Sequence, residues 1–168
     1  IDANQAWSEA ETLEIIEAIS DLNITLIEQP VSAEELESMQ HITAESTIPI
    51  LADESVFTLE DAKKVIETKA ADMINIKLMK CGGIYKAVEI IRLCEANGIR
   101  CMMGSMLEGP TSIAAAAHLS MVYPETISYL DLDSPLLYRS LPEESPITFH
   151  RNHLSTLSAK GITKSTSG

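Results

Sequence analysis

Apolar residues along this chain fall into two alternating patterns. The first is helical spacing behind a polar start. Ser8-Glu9-Ala10-Glu11 has the form of a capping box, and Leu13, Ile16 and Ile19 follow on one face. Ser32-Ala33-Glu34-Glu35 reads as a second box, opening a helix to about Ala44, and Thr58-Leu59-Glu60-Asp61 as a third, with Ala62, Val65 and Ile66 inward. Gly82-Gly83 precedes a fourth helix over residues 84–97, whose stripe is Ala87, Ile90, Ile91 and Cys94 and whose stop is Gly98. A fifth is predicted from Ser112 to Met121. The second pattern is a short apolar run without alternation, at residues 25–27, 48–52, 73–76, 99–103 and 127–130. Such runs suit strands covered on both faces, as in a parallel sheet.

The strand ends keep a period. Asp2, Glu28, Asp53, Lys77, Gly104 and Asp131 are separated by 26, 25, 24, 27 and 27 residues. A repeated strand–helix unit has about this length, so the fold class is α/β, a (β/α)₈ barrel. A closed barrel takes about 250 residues, whereas this chain has 168. Ile1 leads straight into Asp2 with no initiator Met. The expectation is therefore strands three to eight of eight, within a longer protein, with residues 1–133 as the catalytic barrel part. After Asp133 the rhythm breaks at Pro135, Pro142 and Pro146, and Ile147-Thr-Phe-His is at most one strand. Residues 134–168 are expected to pack outside the barrel, with Ser165-Thr-Ser-Gly168 frayed.

In a parallel barrel the C-terminal strand ends share one mouth, where the chemistry is done. The period thus gathers three carboxylates, Asp2, Glu28 and Asp53, beside one amine, Lys77. Three like charges there favour a hard divalent cation, and oxygen-only ligands suit Mg²⁺ better than Zn²⁺. Lys77 lies two residues beyond Asn75, so both face the interior. It is either a salt-bridge partner of Asp53 or a base tuned by the cation. Lys80 and Lys86 are expected at the surface or behind the site. Gly82-Gly83 would suit a phosphate loop or simply a tight turn. Asp131 and Asp133 share one side of their strand, as a loop cap or as a receptor for an ammonium group. Trp7 would wall the site or join the core.

Composition narrows the classes further. Twelve Lys and Arg against 25 Asp and Glu give a net charge of −13, which argues against nucleic acid or an anionic membrane as partner. No apolar run approaches the roughly 20 residues of a membrane span. Cys81, Cys94 and Cys101 lack CxxC spacing and read as reduced thiols of a cytoplasmic protein.

Asp2-Ala-Asn-Gln-Ala-Trp7, Glu28-Gln-Pro30, Ala52-Asp-Glu-Ser55 and Asn75-Ile-Lys-Leu-Met-Lys-Cys-Gly-Gly83 resemble the enolase superfamily, in its muconate-lactonizing subgroup. Gly104-Ser-Met-Leu-Glu108 and Asp131-Leu-Asp133 are more narrowly similar to the dipeptide epimerases. The resemblance implies Mg²⁺ on Asp2, Glu28 and Asp53, and Lys77 as one of two acid/base lysines flanking the substrate α-carbon. It implies Asp131 and Asp133 on the α-ammonium of a dipeptide, with Ser105 and Met106 also touching the substrate, and Asn4, Glu54 and Asn75 supporting the ligands from behind. The implied activity is epimerisation of dipeptides of the L-Ala-D/L-Glu type by 1,1-proton transfer through an enediolate. The second lysine, in a Lys-x-Lys motif after strand two, and an N-terminal capping domain are expected outside this chain. The tail would pack on that domain or outside the barrel. Where relatives often read Pro-Gly-Leu-Gly, the chain has Ser158-Ala-Lys-Gly161. The alternatives are N-acylamino-acid racemase, o-succinylbenzoate synthase and muconate cycloisomerase, which share the metal and lysine frame. Outside catalysis, the alternatives are an inactive barrel fragment or an assembly partner. Pairing with a second copy of the chain is left open.

Overall fold

The computed structural model of the protein describes residues 1–140, 144–151 and 153–156. Pro142, the Ser158-Ala-Lys-Gly161 stretch and the frayed end expected at 165–168 lie outside the described residues.

Five strands form one sheet in sequential order: β1 (Ile27–Glu28), β2 (Ile50–Ala52), β3 (Met73–Lys77), β4 (Arg100–Gly104) and β5 (Ile127–Asp131). Every pair is parallel. Asp2 adds a sixth member through a parallel bridge to Glu28. Helices cross between successive strands: α1 (Glu9–Ala18), α2 (Leu36–Glu45), α3 (Leu59–Thr68), α4 (Leu78–Cys81) with α5 (Ile84–Asn97), and α6 (Pro110–Val122). This is the strand–helix repeat read from the period, curled as part of a (β/α)₈ barrel.

Side-chain parity divides the sheet into two layers. Ile27, Ile50, Ala52, Ile74, Ile76, Cys101 and Met103 point outward and pack with the helices in the main core. Leu26, Leu51 and Met73, with Met102 and Tyr129, form a separate apolar cluster on the other face. Two residues further along the same strands, that inner face carries Glu28, Asp53, Asn75, Gly104 and Asp131, with Lys77 after Asn75. The registers Glu28↔Leu51, Asn75↔Met102 and Gly104↔Asp131 place these rows side by side. The barrel interior is thus apolar below and polar at the mouth.

Local signals act as the chemistry of caps requires. Ser8 with Glu11, and Thr58 with Asp61, close reciprocal capping boxes at α1 and α3. The box at Ser32 does not form: α2 begins at Leu36, its N-cap is Glu35, and that end has no side-chain cap. The Glu35 N–H instead bonds the Ser32 carbonyl, so residues 32–35 make a turn before the helix starts. Gly82 and Gly83 both have positive φ, at 91° and 105°, so turn geometry accounts for the pair. The short α4 was not visible in the sequence, because four residues carry no period.

Beyond β5, a 3₁₀ turn (Ser134–Leu137) leads to a hairpin of β6 (Ile147–His150) and β7 (His153–Thr156). Two strands form where one was expected. Ile147 is buried, and Phe149 and Leu154 pack on the main core. Trp7 also joins that core. Among the described residues no helix is long and apolar enough to cross a membrane.

Candidate active site

The polar rim of the barrel mouth is built strand by strand. Asp2 and Glu28 are bridge partners, and Ala3 N–H bonds the Glu28 carbonyl at 3.0 Å. Asp2 is exposed, and its Oδ1 accepts the Asn4 backbone N–H at 2.9 Å. Asn4 therefore supports Asp2 through its main chain, in a backbone turned to φ 46°. Glu28 is buried, and its Oε1 accepts from Asn75 Nδ2 at 2.7 Å. Burial pushes the Glu28 carboxyl up, the Asn75 bond opposes this, and the nearby charges of Asp53 and Asp2 add to it; Glu28 ends at about 7.

Asp53 is the junction of the site. Its Oδ2 accepts from Lys77 Nζ at 2.5 Å and its Oδ1 from Lys80 Nζ at 2.5 Å. Lys80 also donates to the Asp53 carbonyl at 2.6 Å and the Asn75 carbonyl at 3.0 Å. All three ammonium protons of Lys80 are thereby committed, and its side chain is only 3% exposed. Of the two positions expected for Lys80, the surface or behind the site, the structure has the second: it backs Asp53 from one helical turn beyond the strand end. Lys86 does lie on the surface, paired with Glu89 at 2.8 Å. Burial pulls both Lys77 and Lys80 down. For Lys77 the bond to and charge of Asp53 outweigh burial and hold it above the ordinary lysine value. For Lys80, which is more deeply buried, the lowering prevails.

Sequence reasoning also passed over Gln29. It is fully buried in a left-handed backbone at φ 35°. Its Oε1 accepts the Asp53 and Ser55 N–H groups, and its Nε2 donates to Ser55 Oγ and the Val31 carbonyl. Gln29 thus straps the end of β1 to the loop carrying Asp53. The signal available was a polar amide directly after an inward carboxylate.

On the far side of the mouth, Asp131 and Asp133 are both exposed. Partial burial and then the charge of Asp133 raise the Asp131 carboxyl, with Lys77 opposing. Ser105 Oγ donates to the Asp131 carbonyl at 3.2 Å, and Met106 is 45% exposed beside it. The structure therefore brings the expected residues to one end of the sheet, within electrostatic reach of one another.

Among the described residues, no three His, Cys, Asp or Glu side chains stand grouped closely enough to hold an ion, and Asp53 is turned onto two lysines. The donor chemistry nonetheless fits a hard cation. Three carboxylates sit on neighbouring strands, and their repulsion helps lift Glu28. Glu54 Oε2, next to Asp53, and Asn75 Oδ1, next to Glu28, are buried oxygens without a partner.

Known proteins share the sequence pattern and the fold. The profile of the family described as enolase C-terminal domain-like matches residues 1–163. An L-amino acid-D/L-Glu epimerase of Sulfurimonas denitrificans is 57% identical over 149 residues, covering 89% of this chain and 44% of that protein. The solved substrate-liganded complex of the L-Ala-D/L-Glu epimerase from Bacillus subtilis superposes with a TM-score of 0.85 at 40% identity, over 92% of this chain and 44% of that one. The dipeptide epimerase of Enterococcus faecalis, solved with Mg and L-Leu-L-Tyr, gives 0.81 at 41% identity, over 88% and 40%. The chain thus spans less than half the length of these relatives.

Proposed function

The chain belongs to the enolase C-terminal domain-like family, and on that premise we propose that it forms the catalytic barrel part of a Mg²⁺-dependent dipeptide epimerase. The observation that carries the reading is Lys77. Its ammonium is held at the barrel mouth by Asp53, with Glu28 on one side and the Asp131–Asp133 pair across the opening.

Asp2, Glu28 and Asp53 are the residues that would hold Mg²⁺, with Asn75 fixing Glu28 and with Gln29 and Lys80 fixing Asp53. When bound, the ion would supply the positive charge that lowers the cost of negative charge developing on a substrate carboxylate. Asp131 and Asp133 bind the α-ammonium of the dipeptide through charge-assisted hydrogen bonds, which orients the α-carbon toward Lys77. As the neutral amine, Lys77 Nζ removes the α-proton from its own face; as the ammonium that pairing with Asp53 favours, it returns one there. Inversion needs a second acid/base on the opposite face. Lys80 does not serve, because its three protons are bonded within the protein and its head is buried. Ser105 and Met106 line the substrate side of the β4–α6 loop. An acylated substrate offers no ammonium to Asp131 and Asp133, so those residues favour the dipeptide over an N-acylamino acid. The buried unpaired thiols Cys81, Cys94 and Cys101 suit a reducing compartment, and the reading places the reaction in the cytoplasm.

The test is α-proton exchange in heavy water with the complete enzyme. Lys77→Ala should abolish exchange from one epimer while Mg²⁺ binding persists. Normal exchange of both epimers would remove Lys77 from the mechanism. Replacing Asp131 and Asp133 by Asn should lower kcat/KM for dipeptides by roughly one to two orders of magnitude, the worth of a charged hydrogen bond. N-acylated substrates should lose much less. Equal losses for both substrates would reassign the site to N-acylamino-acid racemisation.

A further inference from the structure

Asp131 is the last residue of β5, and the other proposed substrate contacts beyond β4 and β5 lie on two segments, residues 105–109 and 132–137, that follow the paired strands. Glu108 stands between them and is 2% exposed. Its Oε1 accepts the Met106 N–H at 3.1 Å, and its Oε2 accepts the Ser112 hydroxyl at the start of α6. Its own N–H donates to Ser134 Oγ at 3.3 Å, and the Ser134 hydroxyl donates to the Glu108 carbonyl at 3.2 Å. Ser134 is itself buried at 5%. Ser105 Oγ on the Asp131 carbonyl makes one more cross-link between the segments. Met106 and Leu107 are left 45% and 64% exposed, directly after the Ser105 that is bonded to Asp131.

A buried carboxylate that, among the described residues, serves only two neutral donors, one in its loop and one in the first turn of α6, is a costly way to end a turn. It is well used if it fixes where the loop stands. We propose that Glu108 and Ser134 form a clamp that sets the position of Met106 and Leu107 relative to the Asp131–Asp133 pair. They are positioning residues for a ligand with a cationic amine next to an apolar side chain. The clamp rests on the proposed function only for the nature of that ligand. Its effect falls on binding rather than proton transfer, because Lys77, Glu28 and Asp53 stand on other strands.

Hydrogen exchange at the Met106 amide tests the clamp without reference to activity. In the wild-type complete enzyme this amide should be protected although its residue is exposed. Glu108→Ala should remove the protection. Glu108→Gln should restore it, because the amide oxygen can accept from Met106 and the NH₂ group can donate to Ser112 Oγ. In steady state, Glu108→Ala and the milder Ser134→Ala should raise KM for dipeptides about tenfold, the worth of one hydrogen bond, with kcat nearly unchanged. Glu108→Gln should keep KM near wild type. A fast-exchanging Met106 amide in the wild type, or an unchanged one in Glu108→Ala, overturns the clamp, as does a fall in kcat at constant KM. If the exchange pattern holds but the wild type turns over no dipeptide, the clamp stands and the dipeptide reading fails.

Discussion

Gly104→Ala tests how closely the mouth is packed. Gly104 has an ordinary backbone, so alanine meets no conformational penalty there. The obstacle is Asn75. A Cβ on Gly104 would lie 2.5 Å from Asn75 Oδ1, 2.9 Å from Nδ2 and 3.1 Å from Cγ. The amide cannot simply swing aside, because Asn75 is 1% exposed and its Nδ2 holds Glu28 at 2.7 Å. Overpacking of this kind costs about 1–3 kcal/mol. Losing a hydrogen bond to an ionisable group costs about 1.5–3 kcal/mol. The two overlap, so a net loss of about 2–4 kcal/mol is expected, a large share of the roughly 5–15 kcal/mol of a typical domain. Urea unfolding followed by circular dichroism measures it, with the slope unchanged. The decisive comparison repeats the substitution in an Asn75→Ala background. There the three crowding atoms are gone, and the added methyl should cost less than about 1 kcal/mol, giving a coupling of about 1–3 kcal/mol. Equal costs in both backgrounds would show that the Asn75 amide is not what excludes a side chain at Gly104.

Glu28 carries a pH signature. Its folded value of about 7 lies above the ordinary 4.5, so between these values the folded state keeps a proton that the unfolded chain releases. Its contribution to stability is full below about 4.5 and is lost as pH rises through about 7. Glu28→Gln should remove this part of the slope in pH-dependent melting, and an unchanged slope would contradict the burial argument. Lys80→Met should cost about 3 kcal/mol by chemical denaturation, because it strips a buried carboxylate of one of its two cations. Lys86→Met, on the exposed pair, should have no measurable effect. Thr58→Ala should lose about 1 kcal/mol by melting, as for a lost N-cap, whereas Ser32→Ala should lose almost nothing because Ser32 caps no helix.

The sequence by itself determined the repeat. Helical stripes such as Ala87–Ile90–Ile91–Cys94 and unbroken apolar runs such as Met73–Ile76 can each be buried in only one way, and their alternation dictates a parallel sheet under helices. Counting from strand end to strand end placed Asp2, Glu28, Asp53, Lys77 and Asp131 at a single mouth, because strands in register end together. Local chemistry also carried through where both partners are close in sequence, as in the boxes of Ser8 with Glu11 and Thr58 with Asp61. It failed at Ser32, where a turn bond from Glu35 N–H to the Ser32 carbonyl delayed the helix. What the tertiary structure alone decided is which groups touch. Lys80 could be read only as a residue at the surface or behind the site, because the carboxylate that decides between them, Asp53, lies 27 positions away. Gln29 bonds across 24 and 26 positions, Ser134 across 26, and Asn75 reaches Glu28 across 47. Contacts of that span depend on strand register and on the pitch of the loops between strands. Those are fixed by packing of the whole sheet, so the period could show where the charges gather but not which hydrogen bonds hold them.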